Sequence, residues 1–182
     1  MTVNVVGIGG SLRPGSQSER ALRIALAGAE AAGARTTAIT GNGLLLPFYD
    51  PAVVPSPASE LVEAVRVADG VLLVSPGYHG TVSGMLKNAL DYIEDLRGDV
   101  RPYLDGRAVG CVALAQGWQA AVTTLTSLRS IVHALRGWPT PLGAALNTTE
   151  VSFDATGCSD PQVEKTLHTI GEQVVEFALS RG

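Results

Sequence analysis

The segment from Gly9 to Glu19 reads G-G-S-L-R-P-G-S-Q-S-E, and its residue types suit one kind of chemistry. Glycines let the backbone approach a ligand, the hydroxyls of Ser11, Ser16 and Ser18 donate hydrogen bonds, and Arg13 stands among these donors. A helix starting here presents its positive N-terminal end, so the set favours an anion such as phosphate. Two common phosphate motifs are excluded. A dinucleotide fingerprint would continue Gly7-x-Gly9 to a third glycine where Leu12 stands, and no acid near Thr40–Gly43 is available for a ribose hydroxyl. A nucleotide P-loop would place Lys after Gly15, where the chain has Ser16-Gln17. The loop therefore fits one terminal monophosphate better than a pyrophosphate. On a plainer reading the serines only cap the helix, Ser16 foremost, and Arg13 is a solvated charge.

A second candidate runs S-P-G-Y-H-G-T-V-S-G-M-L-K-N-A-L-D-Y from Ser75 to Tyr92. Pro76-Gly77 forces a sharp turn, Tyr78 offers an aromatic edge, and Gly80-Thr81 leads into a helix. Taken alone it is a strand-turn-helix with an aromatic plug. Acyl-transfer chemistry lacks a G-x-S-x-G elbow. His79, His133 and His168 have no metal-ligand spacing with acids or cysteines, and His133 and His168 read as surface residues of helices. Lys87 and Asp91 are spaced for a solvent-side helical pair.

Five short strands alternating with helices must position these loops. Val3–Ile8, Val71–Val74 and Ala108–Leu114 are near-continuous apolar runs, as parallel strands buried on both faces require. Thr36–Thr40 is a weaker second strand and Trp138–Leu146 a proline-interrupted fifth. Ser16 and Glu19 have capping-box spacing ahead of a helix with Leu22, Leu26 and Ala29 on one side. Ser56-Pro57 opens a second helix with proline at its first helical position. Val82–Leu96 reads as one continuous helix, and Gln119–Arg136 as another with Val122, Leu125, Leu128 and Val132 inward. Asp160-Pro161 starts the last, with Leu167, Ile170 and Val174 inward. This alternation predicts an α/β, flavodoxin-like, doubly wound five-stranded parallel sheet in order 2-1-3-4-5, with helices on both faces. Ligands of such sheets bind beyond the strands' carboxyl ends, which brings together the loops after Ile8, Val74 and Leu114.

The chain's 182 residues correspond to one domain, 1–182, large enough for a core without disulfide or metal. A composition 46% hydrophobic and 16% charged excludes disorder. Thirteen basic against 17 acidic residues, without a basic cluster, disfavours nucleic acid as a partner. Cys111 and Cys158 form no C-x-x-C, and Cys111 in an apolar strand reads as a small hydrophobe. Ala108–Leu128 carries no charge, but its glutamines, threonines and Gly117 suit a strand, loop and helix start better than a membrane span. Nothing at the start resembles a signal peptide, so the expected location is cytoplasmic.

Together, G-S-L-R-x-G-S and S-P-x-Y-x-x-T-V-S-G-x-L-K-N-A-L-D resemble the NAD(P)H-dependent FMN reductase family, which includes flavodoxin-like quinone, azo-dye and chromate reductases. The motifs cover about 30 residues, and the β-α order extends the likeness over most of the chain. The resemblance implies that Ser11, Arg13, Ser16, Gln17 and Ser18 hold the FMN phosphate. It places Pro76, Gly77, Tyr78 and His79 against the isoalloxazine ring, where backbone N–H groups meet the pyrimidine and N5 edge. Gln116, Gly117 and Trp118 fall, by topology, where a third loop approaches the ring. Trp118 stacks near the flavin or is a core residue at a helix start. Two positions depart from several relatives: Gly77 replaces a larger or acidic residue, and Gln17 a bulkier one. A small Gly77 opens the ring face to a wider acceptor, or relaxes the turn.

The implied activity is hydride transfer from NADPH (or NADH) to FMN, then electron delivery to a free flavin, quinone, azo compound or metal oxyanion. The cofactor carries this chemistry, which accounts for the lack of a paired-carboxylate or triad motif. A homodimer or homotetramer is implied, with the helix carrying Lys87 at subunit contacts. A flavin-dependent monooxygenase is a further partner if reduced flavin is released. The alternative is a flavodoxin-like FMN electron carrier that does not oxidise NADPH, although its usual strongly acidic surface is missing at net −4. A non-flavin interaction domain on the same scaffold is the third reading.

Overall fold

Apolar residues on successive positions of the central strands need cover on both sides, and the computed structural model, which describes residues 2–181, supplies it with two helical layers. In β3 (Gly70–Tyr78), Val71 and Leu73 face one layer while Leu72 and Val74 face the other. The first layer holds α2 (Ser59–Val67), α3 (Gly84–Asp91) and α4 (Trp118–Ala134). The second holds α1 (Gln17–Ala31) and α5 (Pro161–Arg181). α1 and α5 cross at Gly28 and Gly171, where a β-carbon on either glycine would stand 2.3 or 2.1 Å from a carbonyl oxygen of the other helix.

The strand order is β2 (Arg35–Ile39), β1 (Asn4–Gly9), β3, β5 (Ala108–Ala115), then the divided fifth strand, all parallel. This is the flavodoxin-like order expected from the sequence. The proline interruption splits the last strand into β6 (Trp138–Pro139) and β7 (Ala144–Asn147), both paired with β5. Between them Arg129 of α4 donates to the carbonyls of Thr140 and Pro141, and Gln173 of α5 accepts from Leu142 N–H at 3.1 Å. Polar groups thrown out of the ladder thus keep partners.

Three boundaries differ from expectation. Proline at 57 lies in a turn, and α2 starts two residues later, behind Ala58. Val82 belongs not to a helix but to β4 (Thr81–Val82), which pairs antiparallel with Gly77–Tyr78; Ser83 then caps α3 by accepting from Leu86 N–H at 3.2 Å. The helix tightens to a 3-10 turn over Tyr92–Leu96. Along α4 Leu128 and Val132 point inward as expected, joined by Ala121 and Thr124, while Val122 is exposed. A small hairpin, β8 (Phe153–Asp154) with β9 (Gly157–Cys158), has no counterpart in the sequence reading.

Candidate functional site

The site begins where β1 ends. A β-carbon at Gly9 would lie 2.1 Å from the Val74 carbonyl oxygen, so only glycine lets the chain turn here against β3. Gly10 N–H donates to the same oxygen at 3.3 Å. The loop then rises to Ser16, which caps α1 by accepting from Glu19 N–H at 3.2 Å. Glu19 returns the contact one residue earlier than a capping box would, accepting from Gly15 N–H at 2.9 Å. The Arg23 guanidinium 2.8 Å away holds the Glu19 carboxyl below its usual range, helped by the Gly15 amide and opposed by partial burial.

Capping by Ser16 leaves donors beside it unengaged. Ser16 and Ser18 are both buried, with hydroxyls 3.3 Å apart, and both line a recess of about 430 Å³. The backbone N–H groups of Ser11, Leu12, Gln17 and Ser18 have no acceptor among the described residues. Exposed Arg13 lines the same recess. Free amides at a helix start, two buried hydroxyls and a guanidinium form a donor set for an anion. Gln17 is different: its side-chain amide is taken up by Phe153, whose N–H donates to Oε1 and whose carbonyl accepts from Nε2, both at 2.7 Å.

The second loop is a hairpin. His79 and Gly80 adopt φ of 51° and 88°, the signature of a two-residue turn joining β3 to β4. Ser75, fully buried, fixes its base by donating to Pro76 O at 2.9 Å and accepting from Ser83 N–H at 3.0 Å. Tyr78 stays exposed, and Pro76 and Tyr78 wall both the first recess and an adjoining one of about 460 Å³ that also includes Leu12, Ser83 and Met85. His79 occupies the turn and lines neither. Gly77 also lines the first recess, but a β-carbon there would meet Thr124 Oγ1 at 2.5 Å and Ala115 Cβ at 3.2 Å. Glycine at 77 lets α4 close on the hairpin.

The third loop depends on a residue the sequence reading missed. Buried Asn147, ending β7, accepts from Gly117 N–H at 2.9 Å, Thr149 N–H at 3.1 Å and Thr149 Oγ1 at 2.8 Å. Its Nδ2 donates to Glu150 at 2.8 Å, and the same Glu150 oxygen accepts from Trp118 Nε1 at 2.7 Å. Trp118 is therefore held at the rim, half-exposed at 52%, which removes the core alternative. Gln116 lines the recess with Ala115, Ala120 and Thr148, whereas Gly117 and Trp118 stand just outside. A buried asparagine leaves no local sequence signal; it shows only through its partners. Among the described residues no group of His, Cys, Asp and Glu is arranged to hold a metal. No helix among them is long and apolar enough to cross a membrane.

A parallel sheet in this order, with its crevice between the first and third strands, defines a flavodoxin-like α/β protein. Residues 3–150 match the family described as NADPH-dependent FMN reductase, and the chain belongs to that family. It is 32% identical over 118 residues to the FMN-dependent NADPH-azoreductase of Staphylococcus haemolyticus (strain JCSC1435), covering 63% of this chain and 59% of that protein. The enzyme of that name from Staphylococcus aureus (strain NCTC 8325 / PS 47) is 29% identical over 121 residues, covering 65% and 61%. The chain spans about three fifths of the length of these curated relatives. Among solved structures, an apo NADH:FMN oxidoreductase superposes with a TM-score of 0.72 at 20% identity, covering 100% of this chain and 91% of that one. The flavoenzyme NAD(P)H:acceptor oxidoreductase FerB from Paracoccus denitrificans also gives 0.72 at 20%, covering both chains completely. These two likenesses are of fold.

Proposed function

We propose that this chain binds FMN with its phosphate on residues 11–18 and its ring against Pro76 and Tyr78, and oxidises NADPH or NADH to reduce a small acceptor. The observation that carries the reading is one cleft uniting buried Ser16 and Ser18, the adjacent Arg13, and the Pro76–Tyr78 wall. The recesses, about 430 and 460 Å³, fall in the size range of small-molecule sites. Bound FMN would itself supply the redox chemistry. The chain's task is then positioning: Ser16, Ser18 and the free amides bind the phosphate, Ser75 and Asn147 fix the two ring-side loops, and Gln116 borders the ring. Leu12, Tyr78 and Met85 give the second recess an apolar wall. That wall favours a planar aromatic acceptor, an azo compound or quinone, over a metal oxyanion, in keeping with the relatives' names.

Self-association is part of this reading. Leu45, Phe48, Val53 and Val54 are exposed on the segment after β2, Phe48 at 91%, and Asn88 of α3 anchors that segment through Leu46 O, Pro47 O and Tyr49 N–H. Exposed apolar clusters of this kind mark interfaces.

The test is direct. The purified full chain, loaded with FMN, should be yellow and bleach on anaerobic addition of NADPH, then recover colour when an azo dye or quinone is supplied. Failure to bind FMN overturns the proposal. Binding without bleaching by either nicotinamide cofactor identifies an electron carrier instead.

A further inference from the structure

The chain after Glu150 lies outside the family match, yet it is fastened to the anion loop. Asp154 Oδ1 closes the β8–β9 turn by accepting from Thr156 N–H at 2.7 Å and Thr156 Oγ1 at 2.6 Å. The open end is clasped by Ser152 and Ser159, which exchange two hydrogen bonds of 2.9 Å. Glu164 of α5 accepts from Cys158 N–H at 3.1 Å, and the Phe153 ring is buried with the residues of α1 and α5. The hairpin is thus held at its turn, its base and its core-facing side.

Two side chains tie it to the loop: Gln17, whose amide engages both backbone groups of Phe153, and Arg20, which alone also reaches Gly15. Nη1 donates to Phe153 O at 3.2 Å, while Nε donates to Gly15 O at 2.8 Å. With Glu19 taking the Gly15 N–H, both backbone polar groups of Gly15 are gripped by consecutive α1 residues. Gly15, at φ 64°, is the last residue before Ser16, so its orientation sets where the loop delivers the free amides and hydroxyls. Arg20 spends these donors on neutral carbonyls and forms no ion pair among the described residues.

We infer that Arg20 is a positioning residue for phosphate recognition, and that the β8–β9 hairpin, acting through it, sets the preference for a phosphorylated over an unphosphorylated flavin. The inference rests on the flavin reading above. An ordered loop loses less freedom when it closes on an anion, which is how pre-organisation becomes affinity.

The flavin-free full chain is titrated with FMN and with riboflavin, with melting temperature and amide exchange recorded for each variant. Arg20→Met should raise the FMN dissociation constant about tenfold, one charged hydrogen bond's worth, and that of riboflavin by less than about twofold. Arg20→Lys, which reaches only one carbonyl, should lose about threefold. Asp154→Ala, which loosens the hairpin turn without touching Gly15, should also lose about threefold for FMN alone. Exchange at residues 11–16 should quicken in Arg20→Met while the interior of α1 is unchanged. Equal weakening of both flavins, or unchanged FMN affinity in Arg20→Met and Asp154→Ala at native melting temperature, overturns the inference and leaves the flavin reading standing. A wild type that binds no FMN overturns both.

Discussion

Gly77→Ala separates two explanations of a departure from related sequences. If the position faced the ring, a methyl group would narrow the cleft and alter turnover without touching stability. The structure instead aims that methyl at Thr124 Oγ1, 2.5 Å away, and at Ala115 Cβ, 3.2 Å away. Thr124 is fully buried and donates to Thr81 O at 3.3 Å, so it has little room to yield. Inserting a methylene into a packed site costs about 1–3 kcal/mol. Replacing glycine where φ is compatible returns about 0.4–1 kcal/mol through the unfolded chain. The net expectation is a loss of about 1–2 kcal/mol, a fall in melting temperature of about 2–8 °C for a chain of this size. Thr124→Ala alone loses one neutral hydrogen bond, about 1 kcal/mol. It also removes the atom that the new methyl meets, so the double variant should be more stable than additivity predicts by about 1 kcal/mol. Urea unfolding of the four proteins measures this coupling. Zero coupling, or a Gly77→Ala protein of native stability with altered acceptor kinetics, would refute the packing argument and restore a ring-facing role.

Ser11→Ala combined with Arg13→Ala should weaken FMN by about 1.5–3 kcal/mol while leaving riboflavin nearly unchanged, read by parallel titrations. Arg107, 1% exposed, donates to the carbonyls of Arg66, Ala68, Tyr103 and Asp105, and burial lowers its pKa to about 10. Arg107→Ala strands the carbonyls of Arg66 and Tyr103, while those of Ala68 and Asp105 keep Arg101 as a donor at 3.4 Å, and should cost about 2–3 kcal/mol in urea unfolding; a loss under about 1 kcal/mol would mean water satisfies them equally well. Glu19 has a folded pKa below its unfolded value, so the unfolded state binds more protons in the acid range. Its contribution is complete above about pH 4.5 and is lost as pH falls through the folded value. Glu19→Gln should therefore lower stability at pH 7 and converge with wild type as the pH falls below the folded value; parallel stability curves would contradict this. Tyr78→Ala should change turnover with near-normal FMN affinity, and unchanged kinetics would reduce Tyr78 to packing.

Much of the framework could be read directly because its signals are local. Continuous apolar runs gave the buried parallel strands, three- and four-residue spacing gave α1 and α5, and Ser16 three residues before Glu19 gave the helix start. The flaws are of two kinds. Val82 looked helical because hydrophobic spacing ignores turn geometry; only the left-handed conformations of His79 and Gly80 reveal the short strand. The β8–β9 hairpin did have a cue, Asp154 followed two residues later by Thr156 before Gly157, but short strands carry little periodicity. Asn147, Arg20 and Arg107 act through partners distant in sequence or through backbone carbonyls, which no local pattern announces. For the same reason Gln17 stands at the loop while its side chain serves the hairpin.

The division of the fifth strand bears on what the molecule avoids. Sheet margins normally offer a row of unpaired amides and carbonyls to which a stray chain can zip. Here two prolines, at 139 and 141, remove donors from that margin, and side chains of α4 and α5 occupy the groups between β6 and β7. The strand segments left on this side are short, two residues in β6 and four in β7. The opposite border, β2, offers Arg35, Thr36 and Thr37, a charged and polar face with little apolar gain for an intruding strand.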